Sequence, residues 1–340
     1  MSQAIPVIDI GTLYEEQADK SPIDAAIGRA LHDIGFMVIT GAQIDFGNVP
    51  NILRFFSLPD PDKMRLAKNI FRNENPNAYR GYFPVEPEKS GFKEGIDLGP
   101  FGLADDNGES PKHVQENDPL LEHNVWPDEK LLPQWKTQAT QYFRECEALG
   151  GVILQSVARY LQLPEGWFTD KFVGHASTFR PMRYPQQDSN ALATPEGGDA
   201  GDLILCGAHV DSGFMTILYQ DDVGGLRVKS PSSPADSPLW LDVPPKPKSF
   251  VINIGKAMQR WSNGYFIATE HMVVTKGKER FSMPFFFEPA LPTSLSTIPS
   301  PILDSTNAPE DVTYRAFMTA NMKKFIEYRG LFEDKTKNYA

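Results

Sequence analysis

The sequence predicts an α+β protein with a jelly-roll core wrapped by helices at both ends. Three observations predict it. Eight strand-like runs follow one another after about residue 170, the number a jelly roll needs. Ahead of them, apolar residues recur at helical spacing. Behind them, from Glu310 to Tyr328, the pattern returns to helix, with Val312, Phe317, Phe325 and Tyr328 as packing residues.

Each element has its own signal. Ile5-Pro6-Val7-Ile8-Asp9-Ile10 reads as a short strand. Ser21-Pro22 reads as an N-cap followed by proline at the first helical position. Ile23, Ala26, Ile27, Ala30, Leu31 and Ile34 then mark one helix face, and Gly35 ends it. Phe36 to Ile39 is a buried strand, and Asn51 to Phe56 a short helix stopped by Leu58-Pro59. Residues 72–125 are rich in Pro, Gly, Asn and charge, and read as long ordered loops of the kind that carry function. Leu131 to Leu163 is a long helical stretch with Gly150-Gly151 as a candidate break. The strand runs are Ser177–Tyr184, Leu203–Val210, Phe214–Gln220, Gly225–Lys229, Trp240–Val243, Ser249–Ile254, Tyr265–Val274 and Arg280–Phe287. The chain thus divides into a helix and strand region with substrate-side loops (1–125), a helical support (126–170), the jelly-roll core (171–295) and a C-terminal helix (296–340). These are expected to form one integrated unit.

Composition narrows the function classes. A 340-residue chain that is 41% hydrophobic can bury a sizeable core. No window approaches the length of a membrane span, and the first residues lack the regions of a signal peptide. A cytoplasmic monomer without a membrane partner is the expectation. A net charge of −11 argues against general affinity for nucleic acid. Two cysteines, Cys146 and Cys206, cannot build a disulfide framework.

The chemistry-bearing residues are few. Of six histidines, His32, His113 and His123 have no partner at metal-ligand spacing, and His175 reads as structural. His209-Val210-Asp211 differs. Residues i and i+2 of a strand share a face, so one imidazole and one carboxylate can reach a common point. His271 lies in an apolar strand and offers a third ligand. Each is weak alone, because a histidine in an apolar strand usually satisfies a core hydrogen bond. Together, two histidines and a carboxylate match the facial triad of non-haem Fe(II) oxygenases, although zinc accepts the same ligands. Thr275 to Glu279 reads as a hairpin turn about Gly277, which would set His271 opposite Ser282 or Met283. Arg280 and Ser282 again share a face. A buried arginine needs an anion, and its fork matches a carboxylate. The plainer alternative is a surface arginine paired with Glu279.

In this pattern the chain resembles the Fe(II)/2-oxoglutarate-dependent oxygenases, in their isopenicillin-N-synthase-like branch. The shared pattern is H-x-D, a gap, H, then R-x-S. Here it reads His209-Val210-Asp211, the 59 residues 212–270, His271, and Arg280-Phe281-Ser282. Gln220 to Leu226, Val251 to Gly255, Trp261 to Gly264 and the opening Ile5-Pro6-Val7-Ile8-Asp9 are similar as well. The resemblance implies a double-stranded β-helix (a distorted jelly roll) with iron inside. By resemblance, His209, Asp211 and His271 hold Fe(II), and Arg280 and Ser282 hold the distal carboxylate of 2-oxoglutarate. Tyr184 matches a tyrosine that contacts the co-substrate. Met182 departs from the asparagine that many plant members carry two residues earlier. The implied reaction couples O2-dependent decarboxylation of 2-oxoglutarate to hydroxylation or desaturation of a small molecule. An oxidase of the same branch that uses O2 without 2-oxoglutarate is the alternative, and a non-catalytic cupin-like metal-binding protein a third. Arg80, Tyr82 and Lys93 in the loop region, with Phe214 and Phe287, are the candidate substrate contacts; Arg80 or Lys93 would suit an anionic substrate.

Overall fold

The computed structural model describes residues 4–86, 92–105, 118–187, 202–234, 237–275, 277–323 and 331. The first part of the chain supplies β1 (Val7–Asp9), α1 (Ser21–Asp33), β2 (Phe36–Thr40), α2 (Val49–Leu53), α3 (Asp60–Met64), β3 (Gly81–Phe83) and β4 (Glu94–Asp97). The long helix α4 (Trp135–Tyr160) follows. Then come β5 (Thr178–Phe179), β6 (Met182–Tyr184), β7 (Leu203–His209), β8 (Met215–Gln220), β9 (Leu226–Lys229), β10 (Trp240–Asp242) and β11 (Phe250–Ile254). A short helix α5 (Lys256–Trp261), β12 (His271–Thr275), β13 (Arg280–Phe287) and α6 (Tyr314–Met322) complete the described elements.

The strands form two sheets. The larger runs β1-β2-β11-β8-β13-β6-β4-β3, with β5 also on β13, and the smaller runs β10-β9-β12-β7. Residues from both sheets line one cavity of about 640 Å³. This is the jelly-roll core that the strand count predicts, enlarged at both edges by strands from the N-terminal region.

Several local expectations need correction. The run Ser177–Tyr184 is broken into β5 and β6. The loop-like region 72–125 contributes β3 and β4, which extend the larger sheet. The strand expected from Tyr265 begins only at His271. The first helix does start at Ser21, but the Ser21 side chain does not cap it. The Asp19 carboxylate accepts from the Ser21 N–H at 3.0 Å instead. Phe325 and Tyr328 lie outside the described residues, whereas Val312 and Phe317 do pack on the core. The expected hairpin at Gly277 is absent. β12 pairs with β7 and β9, while β13 pairs with β5, β6 and β8. The turn therefore crosses from one sheet to the other, and its glycine takes a φ of +88°.

α4 is unbroken through Gly150-Gly151, and the two glycines act differently. A side-chain carbon on Gly150 would fall 2.5 Å from the ring of Phe287 on β13. Gly150 is therefore what lets the helix seat closely on the sheet. Gly151 meets nothing within 4 Å. At the other flank Arg159 and Ser156 of α4 hold Asp24 of α1, with Nε–Oδ2 2.7 Å and Oγ–Oδ1 2.6 Å. Gly150→Ala is expected to destabilise by about 1–3 kcal/mol, because overpacking outweighs the helix-propensity gain. Gly151→Ala should stabilise by about 0.5–1 kcal/mol. Denaturant unfolding of the two variants checks this, and a more stable Gly150→Ala protein would refute the packing account.

Candidate metal centre

His209 ends β7 and His271 opens β12, and the two are direct partners across the antiparallel ladder. Their ring centroids lie 4.3 Å apart. Asp211 follows on the turn into β8. Its Oδ1 is 3.6 Å from His209 Nε2 and 3.7 Å from His271 Nε2. These separations are too long for hydrogen bonds. One donor atom from each residue lies within 4.8 Å of the others. Three ligand atoms thus converge without bonding to one another, the arrangement a metal with bonds of about 2.0–2.2 Å can fill.

The remaining polar atoms fix that convergence. His209 Nδ1 meets the Gly207 carbonyl at 2.8 Å, and His271 Nδ1 meets the Thr269 carbonyl at 3.1 Å. A carbonyl only accepts, so each Nδ1 carries a hydrogen and the neutral ring keeps its lone pair on Nε2. Asp211 Oδ2 accepts from Thr216 Oγ1 at 2.7 Å and Asn253 Nδ2 at 2.8 Å, which leaves Oδ1 for the centre. Gly255 makes the turn possible. A side chain there would strike the carbonyl of Gly213, at 2.3 Å, and that of Asp211.

Charge follows the same plan at Asp211 and His271. Burial would raise the Asp211 carboxyl, but the two histidines and its two donors hold it below the usual range. Burial pushes the His271 imidazole down, against the pull of Asp211, so that ring stays neutral. Burial would also lower His209, yet the neighbouring Cys206 and Asp211 lift it to about 9, so a metal at this centre displaces a proton from that ring. Cys206 Sγ sits 3.8 Å from His209 Nδ1 and from Lys93 Nζ.

The same cavity holds a cation. Arg280 is 1% exposed. Its Nε donates to the Gly224 carbonyl at 2.7 Å, but Nη1 and Nη2 have no hydrogen-bond partner among the described residues. Glu279 does not serve it, being 2.8 Å from Arg183. Tyr184, its cross-strand partner, puts its ring 5.1 Å from the guanidinium carbon. Ser282 is buried two residues further along the same face. Arg280, Ser282, Tyr184 and the three ligand residues all line the cavity. They do so without the expected hairpin, because the two sheets face one another across it.

The candidate substrate residues divide. Lys93 lines the cavity. Arg80 and Tyr82 do not. Arg80 is wholly buried, bonded through Nη1 to Thr178 Oγ1 at 2.6 Å and stacked on Tyr79. Tyr82 donates to Glu94 Oε2 at 2.6 Å, within a buried network with Lys63. Phe214 packs against Trp261 and Phe172, and Phe287 against Phe172, on the outer side of the sheet. The cavity is lined instead by Pro284, Phe286 and Glu288. Strand parity carries the signal: if Arg280 and Ser282 face inward, residues 284, 286 and 288 follow and Phe287 points away. Thr216 on β8 is inward by the same parity, since it pairs with Phe286. Asn253 carries no such mark in the sequence. His175 is structural, held by Ser177 Oγ at 2.7 Å and Glu147 Oε1 at 3.0 Å. His113 lies outside the described residues.

Residues 178–289 match the 2OG-Fe(II) oxygenase superfamily, and residues 5–129 match the family described as non-haem dioxygenase in morphine synthesis, N-terminal. The chain is 31% identical to a probable iron/ascorbate oxidoreductase of Dictyostelium discoideum, over 87% of this chain and 85% of that protein. It is 28% identical to isopenicillin N synthase of Streptomyces clavuligerus, over 84% of each. Among solved structures, a full-length Neurospora crassa protein in complex with alpha-KG superposes with a TM-score of 0.75 at 25% identity, covering 93% of this chain and 95% of that one. The complex of the same protein with alpha-KG and thymine gives 0.77 at 24% identity, over 93% and 96%.

One further cavity residue is held by a buried ion-pair network. Arg180 donates to Asp97 through Nε at 2.5 Å and Nη2 at 2.9 Å, and Lys68 Nζ reaches the same carboxylate at 2.6 Å. Burial alone would raise the Asp97 carboxyl, but these two cations hold it well below the usual range. Asp97→Asn is expected to cost about 3–5 kcal/mol, since two buried cations lose their counter-charge. The sign with pH follows from the depressed carboxyl. Its contribution is complete above its unfolded value near 3.9 and fades as pH falls below that. Unfolding followed at pH 7 and at pH 3 should therefore show wild type losing more on acidification than Asp97→Asn; an equal loss would refute the assignment.

Proposed function

This chain belongs to the 2OG-Fe(II) oxygenase superfamily, and on that premise we propose that it couples the decarboxylation of 2-oxoglutarate to hydroxylation or desaturation of a small molecule. It is an oxidoreductase that uses Fe(II) and O2. His209, Asp211 and His271 are the Fe(II) ligands, each offering one atom whose neighbours are already bonded elsewhere. Arg280 and Ser282 hold the distal carboxylate of 2-oxoglutarate, with Tyr184 against the guanidinium. Bound iron supplies the point at which O2 is activated. The chain's own residues bind, orient and exclude water.

The observation that carries this reading is the Arg280 side chain. A buried guanidinium whose two Nη groups have no hydrogen-bond partner among the described residues leaves an incompletely compensated charge. A carboxylate answers it with two parallel hydrogen bonds. Leu218 and Leu226 line the cavity as well, and give the methylene groups of such an acid an apolar wall. Asp211 keeps all three protein ligands in place, which disfavours a reaction that needs an added halide on the metal.

The isopenicillin N synthase relatives supply the second reading, in which Arg280 holds the substrate's own carboxylate. The two readings separate in an anaerobic titration. Fe(II) followed by 2-oxoglutarate alone should produce a metal-to-ligand charge-transfer band in the visible. Iron binding without the band would leave the oxidase, and no iron binding would remove the site assignment. His209→Ala is expected to abolish both iron binding and the band. Arg280→Ala should leave iron binding intact while raising the 2-oxoglutarate needed for half of the band roughly a hundredfold, on the order of a lost buried charge pair. An unchanged requirement would overturn its role.

A further inference from the structure

Glu288 is a buried carboxyl group in the cavity wall that the proposed chemistry does not use. It follows β13 on the inward parity of Arg280 and Ser282 and is 5% exposed. Its two oxygens differ. Oε2 accepts from the Phe214 N–H at 2.7 Å and from the Tyr314 hydroxyl of α6. Oε1 has no hydrogen-bond partner among the described residues. It packs so closely over Gly213 that a side-chain carbon there would sit 1.9 Å away. The lining of the cavity includes the apolar side chains Phe286, Leu291, Met318 and Met322. Arg180, a cation of the same cavity lining, is committed to Asp97.

We infer that Glu288 is the substrate-orienting residue of this cavity, and that its Oε1–H donates a hydrogen bond to a carbonyl or other acceptor on a neutral, largely apolar substrate. The argument is one of elimination. Oε2 accepts from the Phe214 N–H, which can only donate, and from the Tyr314 hydroxyl in the observed arrangement, and that arrangement puts a proton of this carboxyl on Oε1. A neutral carboxyl in an apolar wall with its hydroxyl unpartnered is a donor waiting for an acceptor. Burial favours that neutral form and pushes the group up to about 8, although Tyr314 and the Phe214 N–H act in the opposite direction. Three other ionisable groups bear on it. Tyr314 comes from α6 and Asp211 from the turn before β8. His175 reaches it only through Ser177 Oγ, which accepts from the Glu288 N–H. Asp211 opposes ionisation of Glu288 in the metal-free protein. Of the two cations behind the expectation of an anionic substrate, Arg80 lies outside the cavity, while Lys93 lines it beside Cys206.

The inference deepens the oxygenase reading and rests on it for the word substrate, but its test does not need turnover. Acetophenone and α-methylstyrene have nearly the same shape, and only the ketone accepts a hydrogen bond. Binding of each is measured by calorimetry on the protein held anaerobically with Fe(II) and 2-oxoglutarate, and on the metal-free protein. The ketone should bind roughly tenfold more tightly at pH 7, about the worth of one hydrogen bond from a buried donor. Glu288→Gln should keep that preference, because its amide oxygen replaces Oε2 and its N–H₂ replaces the donor. Glu288→Met should lose the preference while still binding the hydrocarbon. Wild type should lose the preference as pH rises through about 8, and Glu288→Gln should not. A merely structural glutamate would show neither the rescue nor the pH contrast. Equal binding of the two probes to wild type, or binding of neither, overturns the inference. Loss of the charge-transfer band with an intact probe preference would sink the oxygenase reading alone.

Discussion

The site depends on one cross-strand pairing, His209 opposite His271 between β7 and β12. Side chains on a strand alternate, so a slip of one residue would turn one imidazole out of the cavity. The ladder is not regular. Its register shifts between His271 and Val273, and again between Val273 and Val274. Extra residues on β7 are absorbed there, and the whole segment from Cys206 to His209 comes to border the cavity. Such irregularities re-aim side chains beside functional sites. The pair also fixes Asp211. Only with both rings in place do two Nε2 atoms and one Oδ1 share a centre, and Thr216 and Asn253 of the larger sheet then hold the carboxylate from behind. The centre is thus a joint between two sheets.

Much of this was legible in the sequence, and the misses have physical causes. Spacing of i and i+2 found His209 with Asp211 and Arg280 with Ser282, because strand parity is a local property. The hairpin between them was wrong, because pairing partners are set by the whole sheet. A glycine turn looks the same whether it joins neighbouring strands or crosses between sheets. Arg80 illustrates a different limit. A charged residue in a polar loop reads as solvated or ligand-binding, yet Gly99 and Thr178 from other segments, with the adjacent Tyr79, enclose it. Phe287 follows from strand parity. The same alternation that placed Arg280 inside places Phe287 outside, against Gly150.

β13 therefore acts as the ruler of the cavity. Arg280, Ser282, Pro284, Phe286 and Glu288 form one inward row, and a strand advances about 3.3 Å per residue. Its first inward residue is a cation with no hydrogen-bonded anion among the described residues, and the residue just past its end, Glu288, is a carboxyl with its proton retained. Between them lie a hydroxyl and two apolar groups. The order separates an acidic ligand, drawn to the start of the strand, from a neutral one at its end, so that the two need not compete for one polar contact.

The two ends also differ in what they ask of the fold. An unpaired guanidinium must be tolerated whenever its ligand is absent, and the cost is a charge in low dielectric. Tyr184, the Gly224 carbonyl and the nearby charge of Asp221 reduce that cost without cancelling it. A carboxylate that fills the gap returns the difference as binding energy, so the strain of the free state and the affinity for an acid are one quantity. Glu288 avoids such a charge by staying protonated. It forgoes the strength of an ionic contact and offers a donor whose partner must be a neutral acceptor. The contrast follows from the side chains themselves, since arginine cannot give up its proton in a protein and glutamate can gain one.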